Sequence, residues 1–573
     1  MRIAQPRNPY SPLIFGLLIA LLGACDGTLD DRPPTAEQTV NPPVPSQANR
    51  QKQKIDTARK DEMREQAAPA TITSGAVRLQ PGVTDPAWRL PSEPTDRENY
   101  AHFTDNPLQR VAERPVSTFS IDVDTGAYSN VRRILKTGRM PRHDAVRIEE
   151  MINYFGYDYP LPRDKKMPFS ISTEIGPTPW NTSTRLLQVG LKGYEVPSSQ
   201  LPAANLVFLI DVSGSMRSAN KLDLLKQAMA LLARRLRAED RLAIVVYAGA
   251  SGVVLDPVAG DQQAAILTAL EQLQAGGSTN GAAGIQLAYR LAEQSYIKNG
   301  INRVILCTDG DFNVGTVSFE ALQDLIAAKR KSGITLTTLG FGSGNYNDHL
   351  MEQLADNGNG HYAYIDTLLE ARKVLVEEMS STLQTIAQDV KIQVEFNPTL
   401  VSEYRLIGYE NRVLAREDFN NDKVDAGEIG AGHTVTALYE ITLAGSGAEH
   451  IEPLRYGRAV DAGGKHRDEL AVLRLRYKRP GETRSQLQEQ VIRRQDIVSQ
   501  LTRTSDRFRF AAAVAAFGQL LRGGKYTADY SYDELLLLAR NSRGTDPHGY
   551  RSEFLSLAAL ADTLSSSPPT ANR

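Results

Sequence analysis

The chain is poor in cysteine, balanced in charge and without a long apolar run. Two cysteines, Cys25 and Cys307, in 573 residues exclude a disulfide-stapled scaffold. A formal net charge of −2 lacks the basic excess of a general nucleic-acid binder, so no nucleic-acid partner is expected. Basic clusters such as Arg234-Arg235-Leu236-Arg237 read as solvated helix faces. The longest early apolar run, Leu13 to Leu22, is too short for a bilayer-spanning helix. Eight histidines show no H-E-x-x-H or other paired spacing, and there is no G-x-S-x-G elbow and no candidate Cys-His pair. What the chain does have is length, enough for roughly three or four domains. Hydrophobic and charged contents of 41% and 23% are those of ordinary globular material.

Three segments carry chemistry. Asn205-Leu206-Val207-Phe208-Leu209-Ile210 is an apolar run with no polar alternation, the habit of a parallel strand buried on both faces. It ends in Asp211-Val212-Ser213-Gly214-Ser215. Ligands of open α/β sheets sit beyond the carboxyl ends of the strands, and a carboxylate with two hydroxyls supplies hard oxygen donors suited to Mg²⁺. Gly276-Gly277-Ser278-Thr279-Asn280-Gly281 is a glycine-rich loop leading into a helical stretch. Val304-Ile305-Leu306-Cys307-Thr308-Asp309-Gly310 is a second buried strand ending in an acid and a glycine.

In this order the three segments resemble the metal-ion-dependent adhesion site of von Willebrand factor type A domains, over about Ala204 to Gln388. The resemblance implies a doubly wound, Rossmann-like α/β fold with Asp211, Ser213, Ser215, Thr279 and Asp309 at a metal site. The two serines and one of Thr279 or Asp309 would coordinate directly; Asp211 and the remaining member would act largely through water. The implied cofactor is Mg²⁺, or another divalent cation such as Mn²⁺ or Ca²⁺. The implied partner is a protein, of unknown identity, presenting an acidic side chain to an open coordination position.

At the N-terminus, Arg2 and Arg7 precede the apolar run, and Leu22-Gly23-Ala24-Cys25 is similar to the lipobox of bacterial lipoproteins. This implies a signal peptide at 1–25, lipidation of Cys25, and a place in the bacterial cell envelope, anchored to a membrane and facing the periplasm. Asp26 resembles an inner-membrane retention signal. With Cys25 lipidated and Cys307 in an apolar strand, no disulfide is expected. Residues 26–96, with Pro33-Pro34 and Pro42-Pro43-Val44-Pro45, read as a disordered tether.

Residues 97–200 are expected to form an α+β region, 201–388 the type A domain, and 389–567 a β-rich then helical domain. Period-two runs at Phe169/Ile171/Thr173/Ile175 and Leu187/Val189/Leu191 precede the type A segment. Others follow it, at Ile392/Val394/Phe396, Val435/Ala437/Tyr439/Ile441 and Leu473/Leu475/Tyr477. They predict half-buried antiparallel strands, with Ser170, Ser172 and Gln188 on the solvent side. The two flanks are expected to pack as one β-sandwich into which the type A domain is inserted.

Several motifs imitate sites. Asp122 and Asp124 read as turn and capping residues. Asp418-Phe419-Asn420-Asn421-Asp422 lacks the glycine and glutamate of a calcium loop and reads as a surface turn. Leu521 to Tyr526 fails as a phosphate loop, and Gly340 to Gly344 reads as a flexible loop. The layout of the whole chain, through Phe119–Tyr128 and Asp418–Glu440, also resembles a family of bacterial type A domain-containing lipoproteins. The expected function is a membrane-tethered, cation-dependent protein-binding module. The alternatives are a structural envelope protein, or a Mg²⁺-dependent enzyme, for which no general base is placed by sequence.

Overall fold

The structure, a computed structural model, describes residues 98–121, 124–164, 166–278, 281–310, 312, 318–456 and 466–566. The expected signal peptide, Cys25, the tether, Asp122 and Thr279 lie outside the described residues. The first part comprises β1 (Gln109–Arg110), β2 (Val116–Ser120), α1 (Gly126–Lys136), α2 (Ile148–Asn153) and the hairpin β3 (Phe169–Thr178) and β4 (Asn181–Gly193).

The type A segment follows: β5 (Ala204–Asp211), α3 (Leu224–Ala233), β6 (Arg241–Tyr247), β7 (Ser251–Ala259), α4 (Gln263–Glu271), α5 (Gly281–Gln294) and β8 (Ile301–Thr308). It continues with α6 (Phe319–Lys331), β9 (Ile334–Phe341), α7 (Asp348–Asn357), β10 (Tyr362–Ile365), α8 (Leu368–Arg372) and α9 (Met379–Leu383). Its sheet has the order β10-β9-β8-β5-β6-β7, parallel except for β7, which runs antiparallel to β6 at one edge.

The central strand β5 is buried along its whole length. Leu206, Phe208 and Ile210 enter one core with Leu225, Ala228 and Leu232 of the α3 side, while Val207 and Leu209 enter another with Ile285, Ala288 and Tyr289 of α5. A strand that feeds two cores has no face to give to polar residues, which is why the run is uninterrupted. The edge strand β7 was not legible in advance: nearly all of its residues are half-exposed, so its sequence shows no buried face.

The flanks build a sandwich from β11 (Thr385–Phe396), β12 (Val401–Ile407), β13 (Gly427–Gly430), β14 (Thr434–Leu443), β15 (Glu469–Lys478) and β16 (Gln486–Arg493), together with β1 to β4. One sheet runs β1-β12-β14-β4-β3; the other runs β13-β11-β15-β16, with β2 also paired to β11. Strands from opposite sides of the type A segment are thus immediate neighbours: Val189 pairs with Ala437, and Phe119 with Ile392. Phe119, Leu187, Val189, Leu191, Ile392, Val394, Tyr439 and Leu475 share one core between the sheets. The expected insertion is what the structure shows.

The other face of the first sheet departs from expectation. Gln188 is 1% exposed and Thr436 fully buried, because the C-terminal helices α10 (Asp506–Leu521), α11 (Tyr532–Asn541) and α12 (Tyr550–Ser566) cover it together with α1 and α2. The alternation of β4 and β14 therefore separates an apolar core from a buried polar one. In that second layer Glu440 accepts from Trp180 Nε1 at 3.2 Å, Thr184 Oγ1 at 2.9 Å and Arg405 at 3.1 Å. Period-two pattern identifies the strands, but it cannot tell water from a helix carrying its own polar groups.

Buried arginines of the first part tie the type A domain to its surroundings. Arg132 of α1 pairs with Asp366, with Glu370 at 2.8 Å and with Glu553 of α12 at 3.0 Å. Arg147 pairs with Asp348 and with Glu150. Asp124 is no helix cap: its Oδ1 accepts from Tyr362 N at 2.8 Å, a bond from the flank to β10. Among the described residues no helix is long and apolar enough to cross a membrane.

Candidate functional site

β5 and β8 are neighbours in register, Ile210 beside Cys307, so Asp211 and the Thr308-Asp309-Gly310 turn leave the sheet side by side at its carboxyl edge. Asp211, Thr308 and Asp309 are all fully buried, and Ser213 is 2% exposed. Asp211 is held from three directions. Its Oδ1 accepts from Ser213 N at 2.8 Å, and its Oδ2 accepts from Thr308 Oγ1 at 3.0 Å and Tyr247 OH at 3.3 Å. Burial, with the charge of Asp309 adding to it, pushes the Asp211 carboxyl up to about 6, against the pull of the hydrogen bonds from Ser213 and Thr308.

The hydroxyls of Ser213 and Ser215 lie 2.9 Å apart, and Ser215 is the exposed member of the group. The loop that carries them is laced to the glycine-rich loop: Gly214 N donates to Gly277 O at 3.0 Å, and Gly276 N to Val212 O at 2.7 Å. Gly277 has φ +88, left-handed backbone that favours glycine. The Gly276–Gly277 backbone is thereby drawn to the site; Thr279 lies outside the described residues. Gly310 (φ +89) has no room for a Cβ, which would meet Asn347 N at 2.3 Å, so the Asp309 turn is pressed against the segment before α7.

Asp211, Ser213, Ser215 and Asp309 are brought together. The donor set is all oxygen, two acids and two hydroxyls, and its chemistry fits a hard divalent cation. Among the described residues no three His, Cys, Asp or Glu side chains cluster as an acid-rich metal cage would; this site leans on hydroxyls instead. Lys221, Thr308 and Tyr247 were not singled out by sequence. Thr308 could have been, as the residue before the second acid. Lys221 gives no periodic signal because it sits in a π-helical turn, Ala219–Asp223, between the loop and α3. Its Nζ lies 2.7 Å from Asp309 Oδ2.

The imitations resolve differently. Asp418–Asp422 folds around two ammonium groups: Lys391 Nζ donates to Asp418 O at 3.0 Å and Asn421 O at 2.6 Å, and Lys478 Nζ to Asp422 O at 2.6 Å. Leu521–Tyr526 contains the end of α10, with Gly523 and Gly524 at φ +94 and +69. Within Gly340–Gly344 the first two residues still belong to β9, and Gly342 packs under the Lys221 stem. Arg237, expected on a solvated face, instead holds Asp240 at 2.8 Å and two backbone carbonyls. Cys307 is buried and unpaired.

Comparison with known proteins matches residues 205–378 to the family model of the von Willebrand factor type A domain, and residues 94–188 to one described as von Willebrand factor. Residues 381–564 match the model described as uncharacterized protein YfbK, C-terminal. The chain is 48% identical over 472 residues to uncharacterized protein YfbK of Escherichia coli (strain K12), covering 81% of each. It is 25% identical over 261 residues to human inter-alpha-trypsin inhibitor heavy chain H3, covering 42% of this chain and 28% of that one. A solved structure, von Willebrand factor type A from Catenulispora acidiphila, aligns at 17% identity with a TM-score of 0.37, over 73% of this chain and 99% of that one.

Proposed function

The chain belongs to the YfbK family of type A domain proteins, and from that premise we propose that it is an envelope-tethered receptor whose type A domain grips an acidic side chain of a partner protein through a divalent cation. The type A domain makes it a protein–protein interaction or adhesion module. The finer reading is carried by one observation: Asp211, Ser213, Ser215 and Asp309 meet at the carboxyl edge of the sheet, the acids buried and Ser215 open to solvent.

In this proposal Ser213, Ser215 and one of Thr279 or Asp309 hold the cation directly, and Asp211 and the remaining residue hold it through water. A bound Mg²⁺, or Mn²⁺ or Ca²⁺ in its place, supplies an electron-poor position that a partner carboxylate can fill. The chain's own contribution is orientation. Tyr247, Thr308 and the Ser213 amide fix the Asp211 carboxylate, and the Gly214–Gly277 and Gly276–Val212 bonds fix the two loops. The Cys25 lipid and the 26–96 tether would display this face from the membrane into the periplasm.

The test is capture of partners from envelope extract by the full chain, in Mg²⁺ and in chelator, with Asp211→Ala beside the wild type. The expected outcome is a captured protein lost at least about tenfold with chelator and with Asp211→Ala. Capture that survives both would overturn the cation-dependent reading.

A further inference from the structure

Lys221 is a lysine at 6% exposure whose ammonium is pointed into the acid site. Its Nζ donates to Asp309 Oδ2 at 2.7 Å and to Asn345 Oδ1 at 3.1 Å. The aliphatic stem lies along Gly342, where an added Cβ would come within 2.2 Å of Lys221 Cε, and Gly342 has φ +79. The carbonyl of Gly342 is in turn held by Tyr364 OH from β10. Residues of four segments thus make a lane for one long side chain: the turn before α3, the end of β8, the loop after β9, and β10. A flexible lysine fixed so deeply, with its charge on a prospective ligand, is placed to act on that ligand.

The charge balance says how. Two carboxylates, Asp211 and Asp309, offset a divalent cation fully; with the ammonium added, one positive charge is left over. We propose that Lys221 is a built-in counter-charge that competes with the divalent cation for Asp309. It weakens the cation's own binding and leaves the bound cation positive enough to demand a carboxylate from outside. This rests on the cation-dependent reading above and deepens it: a partner acid completes the charge balance of the site, so cation and partner bind more tightly together than apart. Lys221 is a positioning and charge-setting residue in this scheme, not itself a ligand of the partner.

The experiment is Mn²⁺ titration of the full chain in detergent, followed by the electron paramagnetic resonance signal of free Mn²⁺. Wild type is compared with Lys221→Met, Lys221→Gln and Lys221→Arg. Circular dichroism identifies which variants are folded, and either neutral substitution suffices if the other does not fold. Removing the ammonium is expected to tighten Mn²⁺ binding about tenfold or more, whereas Lys221→Arg, which keeps the charge, stays near wild type. If wild type binds Mn²⁺ and the folded neutral variants bind no better, the counter-charge role is overturned while the cation-dependent function stands. If only the neutral variants bind, the competition is upheld and Lys221 is itself the resident cation, which overturns the function proposed above. If no form binds, both fall together.

Discussion

Two stretches of this chain present side-chain oxygens in cation-loop order, Asp211–Ser215 and Asp418–Asp422, and the fold treats them oppositely. Around Asp418–Asp422 two ammonium groups, from Lys391 of β11 and Lys478 of β15, take up the loop carbonyls, and Arg476 reaches Asn420 at 2.9 Å. That loop is a strap closed by lysines. Beside Asp211–Ser215 Lys221 engages the Asp309 carboxylate, and the hydroxyls of buried Ser213 and exposed Ser215 are left beside each other. The difference lies in what the neighbouring strands deliver. β11 and β15 are antiparallel partners whose lysines emerge together beneath the loop, with Gln388 opposite Lys478. The parallel strands β5 and β8 deliver main-chain ends and acids to a common edge.

The largest effect that would sharpen this contrast is expected from Lys391→Met. It strips two loop carbonyls of a charged donor and should cost about 2–4 kcal/mol of stability, read as a lowered urea midpoint that added Ca²⁺ does not restore. An unmoved midpoint, or recovery with Ca²⁺, would break the distinction between strap and site. Next in size is Gly342→Ala. Its positive φ and its contact with the Lys221 stem give an expected loss of about 1–3 kcal/mol. Displacing the stem should also shift Mn²⁺ affinity in the same direction as Lys221→Met; a change in stability with affinity untouched would detach the lane from the site.

The smallest concerns the seam between the two regions. Glu352 of α7 lies 3.3 Å from Arg412 and 3.7 Å from Arg147, yet burial outweighs both arginines and pushes its carboxyl up to about 7 from 4.5. The folded chain therefore holds a proton there that the unfolded chain has released. That contribution is fully present at low pH and is lost as pH rises through about 7. Glu352→Gln should flatten the fall in stability between roughly pH 4.5 and pH 7 by about 1 kcal/mol, measured by unfolding at a series of pH values. An unchanged slope would move the proton elsewhere.

Much of the architecture was legible because double burial leaves a plain mark. Leu206–Ile210 and Val304–Cys307 are apolar throughout because each feeds two cores, and the strands of the sandwich alternate because one face meets its partner sheet. The polar faces of β4 and β14 were misassigned to water, since a covering helix and solvent select the same residue types there. Of the candidate site, the acids and hydroxyls could be read because their spacing follows a strand end. Lys221 and Tyr247 could not, because neither belongs to the motif and both reach Asp309 or Asp211 only through folding.

The sequence by itself determined that parallel strands would end in acids, hydroxyls and glycines, because strand burial and turn chemistry are local demands written residue by residue. Tertiary structure alone decided which charged groups face one another. A lysine side chain can reach in many directions, and only the packing of β8, β9 and β10 around Gly342 sends the Lys221 ammonium to Asp309. The same kind of packing sends Lys391 and Lys478 into the Asp418–Asp422 loop. Coulomb energy depends on distance and burial, and neither is present in the order of residues.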